Sequence, residues 1–255
     1  MNNDRVLADA SASHLEKTLA ASAIASGDYE TAWTHLNQAV ERLNRHPASE
    51  ARDTLLVDAS LELSRACFVA GKGFGELMTY LISGLEAANR SGDRRSAALI
   101  HLHLGRLYYF AEQRDQAMAV FARGKAAVEA LGDEDIMDQA AELIGLYFFI
   151  QGLFPEAMIY FEKAAKGFEF GEQGHSGPMW LSYCAAFLGQ FHRAIGTLDF
   201  YRRLALERSD HSLATTLRAV LGIILVGIRK NKEAAFHLSG ALQEGMQSQN
   251  SLATY

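Results

Sequence analysis

The sequence predicts an all-α chain built as a solenoid of about six helix pairs. Three observations carry this expectation. Only three prolines, Pro47, Pro155 and Pro178, fall in 255 residues, so long helices can run unbroken. Alanine is frequent and β-branched runs are rare, which favours helix over strand. Above all, the chain repeats itself. His101–Tyr108 followed by Gln116–Phe121 superposes without a gap on Ala141–Phe148 followed by Glu156–Phe161, at an offset of 40 residues. Repeats of this length are the mark of stacked supersecondary units.

The repeats fall at about 13–45, 58–90, 95–131, 137–170, 176–208 and 212–247 within a single domain, 1–255. Copy one places Leu19-Ala20 in its first helix and Ala32, Leu36 and Ala39 in its second, joined by a turn with Gly27 and Tyr29. Copy two departs. It puts Ser64-Arg65 at the small site, carries Gly71-Lys-Gly-Phe-Gly75 in its turn, and follows a 45-residue spacing bridged by Asn44–Asp53. That segment reads as a lengthened turn or as a flexible joint. Copy three gives Leu104-Gly105, then Ala117, Phe121 and Gly124. Copy four gives Ile144-Gly145, then Gly152 and Phe154 in the turn, then Ala157, Phe161 and Ala164. A loop with three glycines and Pro178 leads to copy five, with Leu181-Ser182, Gly189, Phe191, Ala194, Leu198 and Tyr201. Copy six gives Leu221-Gly222, then Ala234, Leu238 and Ala241.

The second-helix spacing of i, i+4 and i+7 lines one helical face. Small residues let paired helices approach, so Gly145 is expected to face Ala157 where the helices of copy four cross. The turn glycines suit a chain leaving a helix in a left-handed conformation.

These residues resemble the tetratricopeptide repeat family, whose pattern runs W-x2-L-G-x2-Y, A-x3-F-x2-A, P. Leu104, Gly105, Tyr108, Ala117 and Phe121 match it, as do Ile144, Gly145, Phe148, Ala157, Phe161 and Ala164. His101 and Ala141 stand at the tryptophan position, and the closing proline is missing. The resemblance covers roughly residues 12–247 and implies a right-handed α-α superhelix. The long spacing resembles regulatory segments of bacterial signal-transduction ATPases and transcription activators.

Composition narrows the function. The net charge of -6 does not favour nucleic acid. The longest apolar runs are too short to span a membrane, and two cysteines make no disulfide framework, so the expected setting is cytoplasmic. Cys67 and Cys184 fall at one site in copies two and five, too far apart to pair. His101 and His103 point to different helical faces, and His175 sits alone in a glycine-rich loop. No catalytic, cofactor or metal residue is assigned. From Arg193 to Lys232 there are eight basic and three acidic residues, either a solvated face or a dock for an acidic partner.

In the family the first helices line a concave groove. The resemblance then places there Lys17, Ala21 and Ile24; Glu62, Ala66 and Val69; Leu102, Arg106 and Tyr109; Glu142, Leu146 and Phe149; and Tyr183, Ala186, Ile223 and Val226. The expected partner-binding residues are Arg106, Tyr109, Glu142, Phe149 and Tyr183, although Tyr109 and Phe149 also fit a role as core between pairs. Aromatics and arginine are common interface anchors. The implied function is a protein- or peptide-binding module, the regulatory segment of a larger bacterial signalling or transcription-regulatory protein. The alternatives are a self-assembling scaffold and a small-ligand or peptide sensor. No direct nucleic-acid or membrane partner is expected. The last pair bears Leu238, Ala241, Leu242 and Met246 ahead of Ser248–Tyr255, and a solenoid normally ends on a polar face. Either further domains or a partner, such as a second copy in a homodimer through this pair, is expected to cover Leu238 and Leu242.

Overall fold

A computed structural model describes residues 2–25, 28–70, 73–169 and 176–248. Among these residues there are twelve helices and no strand. They are α1 (Asn2–Ala25), α2 (Tyr29–Asn44), α3 (Glu50–Ala70), α4 (Phe74–Ser91), α5 (Arg94–Phe110) and α6 (Arg114–Leu131). Then come α7 (Glu134–Phe149), α8 (Phe154–Glu169), α9 (Gly177–Phe187), α10 (Phe191–Glu207), α11 (His211–Gly227) and α12 (Asn231–Ser248). The turn aromatics Tyr29, Phe74, Phe154 and Phe191 each open a second helix.

The chain divides into two compact units, Met1–Asp133 and Glu134–Tyr255. In the first, α1 pairs with α2, α3 with α4, and α5 with α6; α2 also packs on α3, and α4 on α5. The first helices touch one another as well, α1 with α3 and α3 with α5. The second unit repeats the scheme: α7–α8, α9–α10 and α11–α12 are the pairs, α8 packs on α9 and α10 on α11, while α7 meets α9 and α9 meets α11. Each unit therefore carries a layer of first helices beside a layer of second helices.

Three of the six pairs are held by a hollow and the side chain that fills it. A Cβ on Gly145 would lie 2.6 Å from the Phe161 ring; on Gly105, 2.6 Å from the Phe121 ring; on Gly222, 2.6 Å from Leu238. In all three the large residue follows the glycine by sixteen positions. The expected meeting of Gly145 with Ala157 is corrected: Ala157 is buried one turn earlier, and the aromatic, not the small residue, enters the hollow. A missing side chain is useful only where a bulky neighbour needs its space. Copy two is corrected too. Arg65 is exposed and its neighbour Ser64 is fully buried.

Seven turns share one geometry. A residue with positive φ stands two positions before the next helix at Gly92, Glu112, Gly132, Gly152, Gly189, Ser209 and Arg229. From 92 to 152, and again from 189 to 229, these fall every twenty residues, so each 40-residue repeat is two half-repeats. The next amide closes the motif by bonding back five residues, as from Gln113 to Tyr108 O (2.9 Å), Gln190 to Ala185 O (2.8 Å) and Lys230 to Leu225 O (2.9 Å). Glutamate, serine and arginine hold this conformation at roughly 1–2 kcal/mol each. Aspartates at 28, 93 and 210 then cap α2, α5 and α11 by accepting from Thr31, Ser96 and Leu213 amides.

The long connection into copy two is stapled by charge. Asp53 is buried and accepts from Arg90 Nε and Nη2, both at 2.9 Å, and from Arg52 Nη1 at 2.7 Å. Arg52 Nε in turn donates to Leu43 O at 3.1 Å, tying the start of α3 to the end of α2. In the following turn, Gly73 has φ +78 and lies so close to the Trp33 indole that a Cβ would overlap it. Residues 71 and 72 lie outside the described set.

Two predictions follow from this packing. Gly145→Ala is expected to destabilise the protein by about 1–3 kcal/mol, because the buried Phe161 ring has nowhere to retreat; an unchanged denaturation midpoint contradicts the packing. The hydrogen bonds from Arg90, with Arg52 adding to them, hold the Asp53 carboxyl below its ordinary value of 3.8. A depressed folded-state pKa stabilises above the unfolded value and is lost as pH falls through the folded one. Asp53→Asn is therefore expected to cost about 1–2 kcal/mol at neutral pH, Arg90 being partly exposed. Thermal melts of both proteins should converge as pH drops below about 4, and a gap that stays constant into acid contradicts the charge staple.

Candidate partner-binding faces

In the first unit, several positions assigned to the groove belong instead to the core. Ala66 and Leu102 are buried, and Leu102 lies in the hollow left by Gly124 on α6, 2.8 Å from where its Cβ would stand. Lys17 is engaged with Asp58 at 3.2 Å and Glu62 at 3.7 Å, bridging α1 and α3.

Arg106 is also buried. Its guanidinium carbon lies 3.4 Å from the centre of the Phe68 ring, a cation–π contact. Its Nη2 is 3.1 Å from His103 Nδ1, and Ser64 Oγ is 2.9 Å from the same nitrogen. Burial pushes the His103 pKa well below the usual histidine range, and the Arg106 and Arg65 charges add to the effect. The ring is thus neutral, and since a guanidinium can only donate, Nδ1 is the acceptor. Ser64 beside His103 has the spacing of a nucleophile and base, yet Ser64 is fully buried and no substrate can reach it. Beyond Arg106, Tyr109 is half-buried and 5.5 Å from Phe110, which is 5.6 Å from Phe68. Phe68 in turn is 5.1 Å from Phe74. Phe74 and Phe110 are the exposed rings of this unit's edge.

In the second unit Phe149 is the hub of an aromatic cluster. Its ring centre lies 5.5 Å from Phe154, 6.5 Å from Phe161, 5.0 Å from Trp180 and 5.8 Å from Phe187. Phe154 and Phe187 stack at 4.9 Å, and Trp180 continues to Tyr183 at 6.0 Å. One ring thus joins α7, α8 and α9. Tyr183 is half-buried, and burial raises its pKa. Glu142 accepts from the Ser176 amide at 3.3 Å, at the entrance to α9, and Leu146 is core. Phe187 is 61% exposed, and Ile223 and Val226 on the adjoining α11 are about half exposed at 49% and 51%.

The five expected binding residues therefore separate. Arg106 is buried, Glu142 accepts from the Ser176 amide at the start of α9, Phe149 is a packing hub, and Tyr109 and Tyr183 are half-buried. Trp180 and Phe187, which sequence reasoning passed over, complete the second face. Their signal was the spacing Trp180, Tyr183, Phe187, an i, i+3, i+7 stripe. Among the described residues no group of three or more His, Cys, Asp or Glu could hold a metal ion; His175 lies outside them. The thiols of Cys67 and Cys184 are free, buried and pushed up to about 12, mainly by desolvation. The basic stretch is spread over three helices and partly neutralised, with Arg193 on Glu162, Arg218 on Glu244 at 2.5 Å and Lys230 on Glu233 at 3.2 Å. No helix among the described residues is long and apolar enough to cross a membrane.

Phe149→Ala is expected to cost about 3 kcal/mol or more, and Phe187→Ala less than about 1 kcal/mol. Equal costs in chemical denaturation contradict the division of this cluster into hub and rim.

The fold is similar to several solved structures. A Rap conjugation gene regulator of the plasmid pLS20, in complex with the Phr* peptide, matches with a TM-score of 0.69 and 15% identity over 93% of this chain. A Rap protein complexed with competence and sporulation factor gives 0.64 and 15% over 95%. The signal transduction ATPase with numerous domains from Pyrococcus horikoshii, which carries a tetratricopeptide repeat sensor, gives 0.52 and 15% over 97%. The chain spans 64%, 71% and 39% of those chains. No protein-family model matches the sequence, and no curated protein does. At these identities the likeness establishes the fold, a tetratricopeptide-type arrangement of helix pairs.

Proposed function

We propose that this chain binds a peptide or a peptide-like segment of another protein, and does no chemistry on it. The observation that carries the reading is the face of α9 and α11 in the second unit. On α9 the exposed Phe187 packs on Phe149, which also meets Trp180, and Tyr183 is half-buried; on α11, which packs on α9, Ile223 and Val226 are exposed. Large apolar side chains held on rigid helices bind at little entropic cost, and aromatic anchors supply most of the energy at interfaces. Two of the similar structures contain Rap proteins with bound peptide or competence and sporulation factor, which supports a peptide as the ligand class here. The chain then serves as the interaction segment of a bacterial signalling or transcription-regulatory protein.

The test is selection from a random peptide display library on the folded protein, followed by calorimetric titration of the enriched peptides. Peptides with apolar anchors are expected, and Phe187→Ala together with Val226→Asp should weaken them at least about tenfold, or 1.4 kcal/mol. Peptides that bind the double variant as tightly as the parent protein place the site elsewhere.

A further inference from the structure

The two outermost described helices, α1 and α12, each leave uncovered a face that is buried in the interior pairs. Counting from the small site of each first helix, Leu15 and Leu19 stand five and one residues before Ala20. Their counterparts are Ile100 and Leu104 in copy three, and Leu217 and Leu221 in copy six. Those four are at most 4% exposed, whereas Leu15 is 58% and Leu19 is 41% exposed. On α12, Leu242 is 47% exposed. Its counterparts in copies one and four, Val40 and Ala165, are 0% and 1% exposed, and those in copies two, three and five, Leu85, Lys125 and Arg202, are half-buried.

Interior junctions show what covers each face. The Cβ position of Gly177, the counterpart of Leu15 on α9, is 3.0 Å from Ala164 Cβ and 3.1 Å from the Ala165 amide on the preceding second helix. Ile100, the counterpart of Leu15 on α5, comes within 3.5 Å of the Cβ position of Gly84 on α4. Gly84 and Ala164 are the counterparts of Ala241, and Ala165 is that of Leu242. The α1 face is thus built to sit on an α12 face. We propose that a second copy of this chain docks head to tail, with Leu15 and Leu19 of one copy packed against Leu238 and Leu242 of the other.

The two faces are unlike, so the contact is heterologous. It leaves a free end on each copy and propagates unless the stack closes into a ring. This is the self-assembly reading in a specific form, and it differs from a symmetric dimer through α12. Leu238 fills the Gly222 hollow inside its own pair, yet it is only half-buried, where its counterparts Leu36, Leu81, Phe121, Phe161 and Leu198 are at most 1% exposed. The peptide face on α9 and α11 is separate, so either reading can fail without the other.

The experiment is sedimentation velocity of the full chain over a wide concentration range. Wild type is expected to associate progressively with concentration. Leu19→Asp and Leu242→Asp, checked for helical folding by circular dichroism, are each expected to be monomeric alone. Mixed, they should form a one-to-one dimer that grows no further, because each keeps one intact end. Leu15→Asp and Leu242→Lys serve as the second head and tail variants should either first choice fail to fold. Wild type that stays monomeric throughout overturns the proposal. So does a head variant that still self-associates, the mark of a symmetric contact, or a mixture of head and tail variants that remains monomeric.

Discussion

The close approach of a glycine on one helix to a bulky side chain sixteen residues later is the contact on which the structure depends. Gly105 with Phe121, Gly145 with Phe161 and Gly222 with Leu238 set how near the helices of these three pairs lie and in what register. Once that register is set, the rest of each first helix has its assignments. The residue five positions earlier turns toward the preceding second helix, as Ile100 does toward Gly84. Residues further along run out toward the turn, where Tyr109 and Phe149 lie. The uniform left-handed turn makes the arrangement repeatable, since each helix is released at the same point of its twenty-residue half-repeat.

The same register explains why a family-derived groove dissolved in part into core. A groove position can be read from helical phase, but phase does not say how deep the neighbouring pair reaches. Leu102 is groove-facing by phase, yet Gly124 opens a second hollow on α6 and Leu102 drops into it. Phe149 likewise meets Trp180 from the next pair and becomes a hub. What remains accessible is the outer rim of each cluster: Phe74 and Phe110 in the first unit, Phe187, Ile223 and Val226 in the second.

Copy two trades apolar packing for polar contacts. Ser60, Ser64, Asp53, His103 and Arg106 are all buried at or next to it. Such groups are tolerable because each is met by a partner: Ser60 Oγ by Tyr80 O at 3.2 Å, Ser64 by His103, and Asp53 by two guanidinium groups. Buried polar groups of this kind add little net stability but penalise alternative registers. An irregular repeat with a lengthened entry gains most from that restraint, because its small-residue pattern does not fix the pairing by itself.

The sequence by itself determined the helix pairs, their order and the hollow-forming glycines, because the period of apolar and small residues is a local property of the chain. The turn aromatics Tyr29, Phe74, Phe154 and Phe191 were legible for the same reason, whereas the capping role of Asp28, Asp93 and Asp210 came from the structure. Five of the eight left-handed turn residues among the described residues are glycine; Glu112, Ser209 and Arg229 carry no such signature, and only the backbone reveals them. The exposure of the candidate site was decided by tertiary structure alone. Whether Arg106, Phe149 or Phe187 meets solvent depends on side chains from other pairs, far away in sequence, and helical phase holds no information about them.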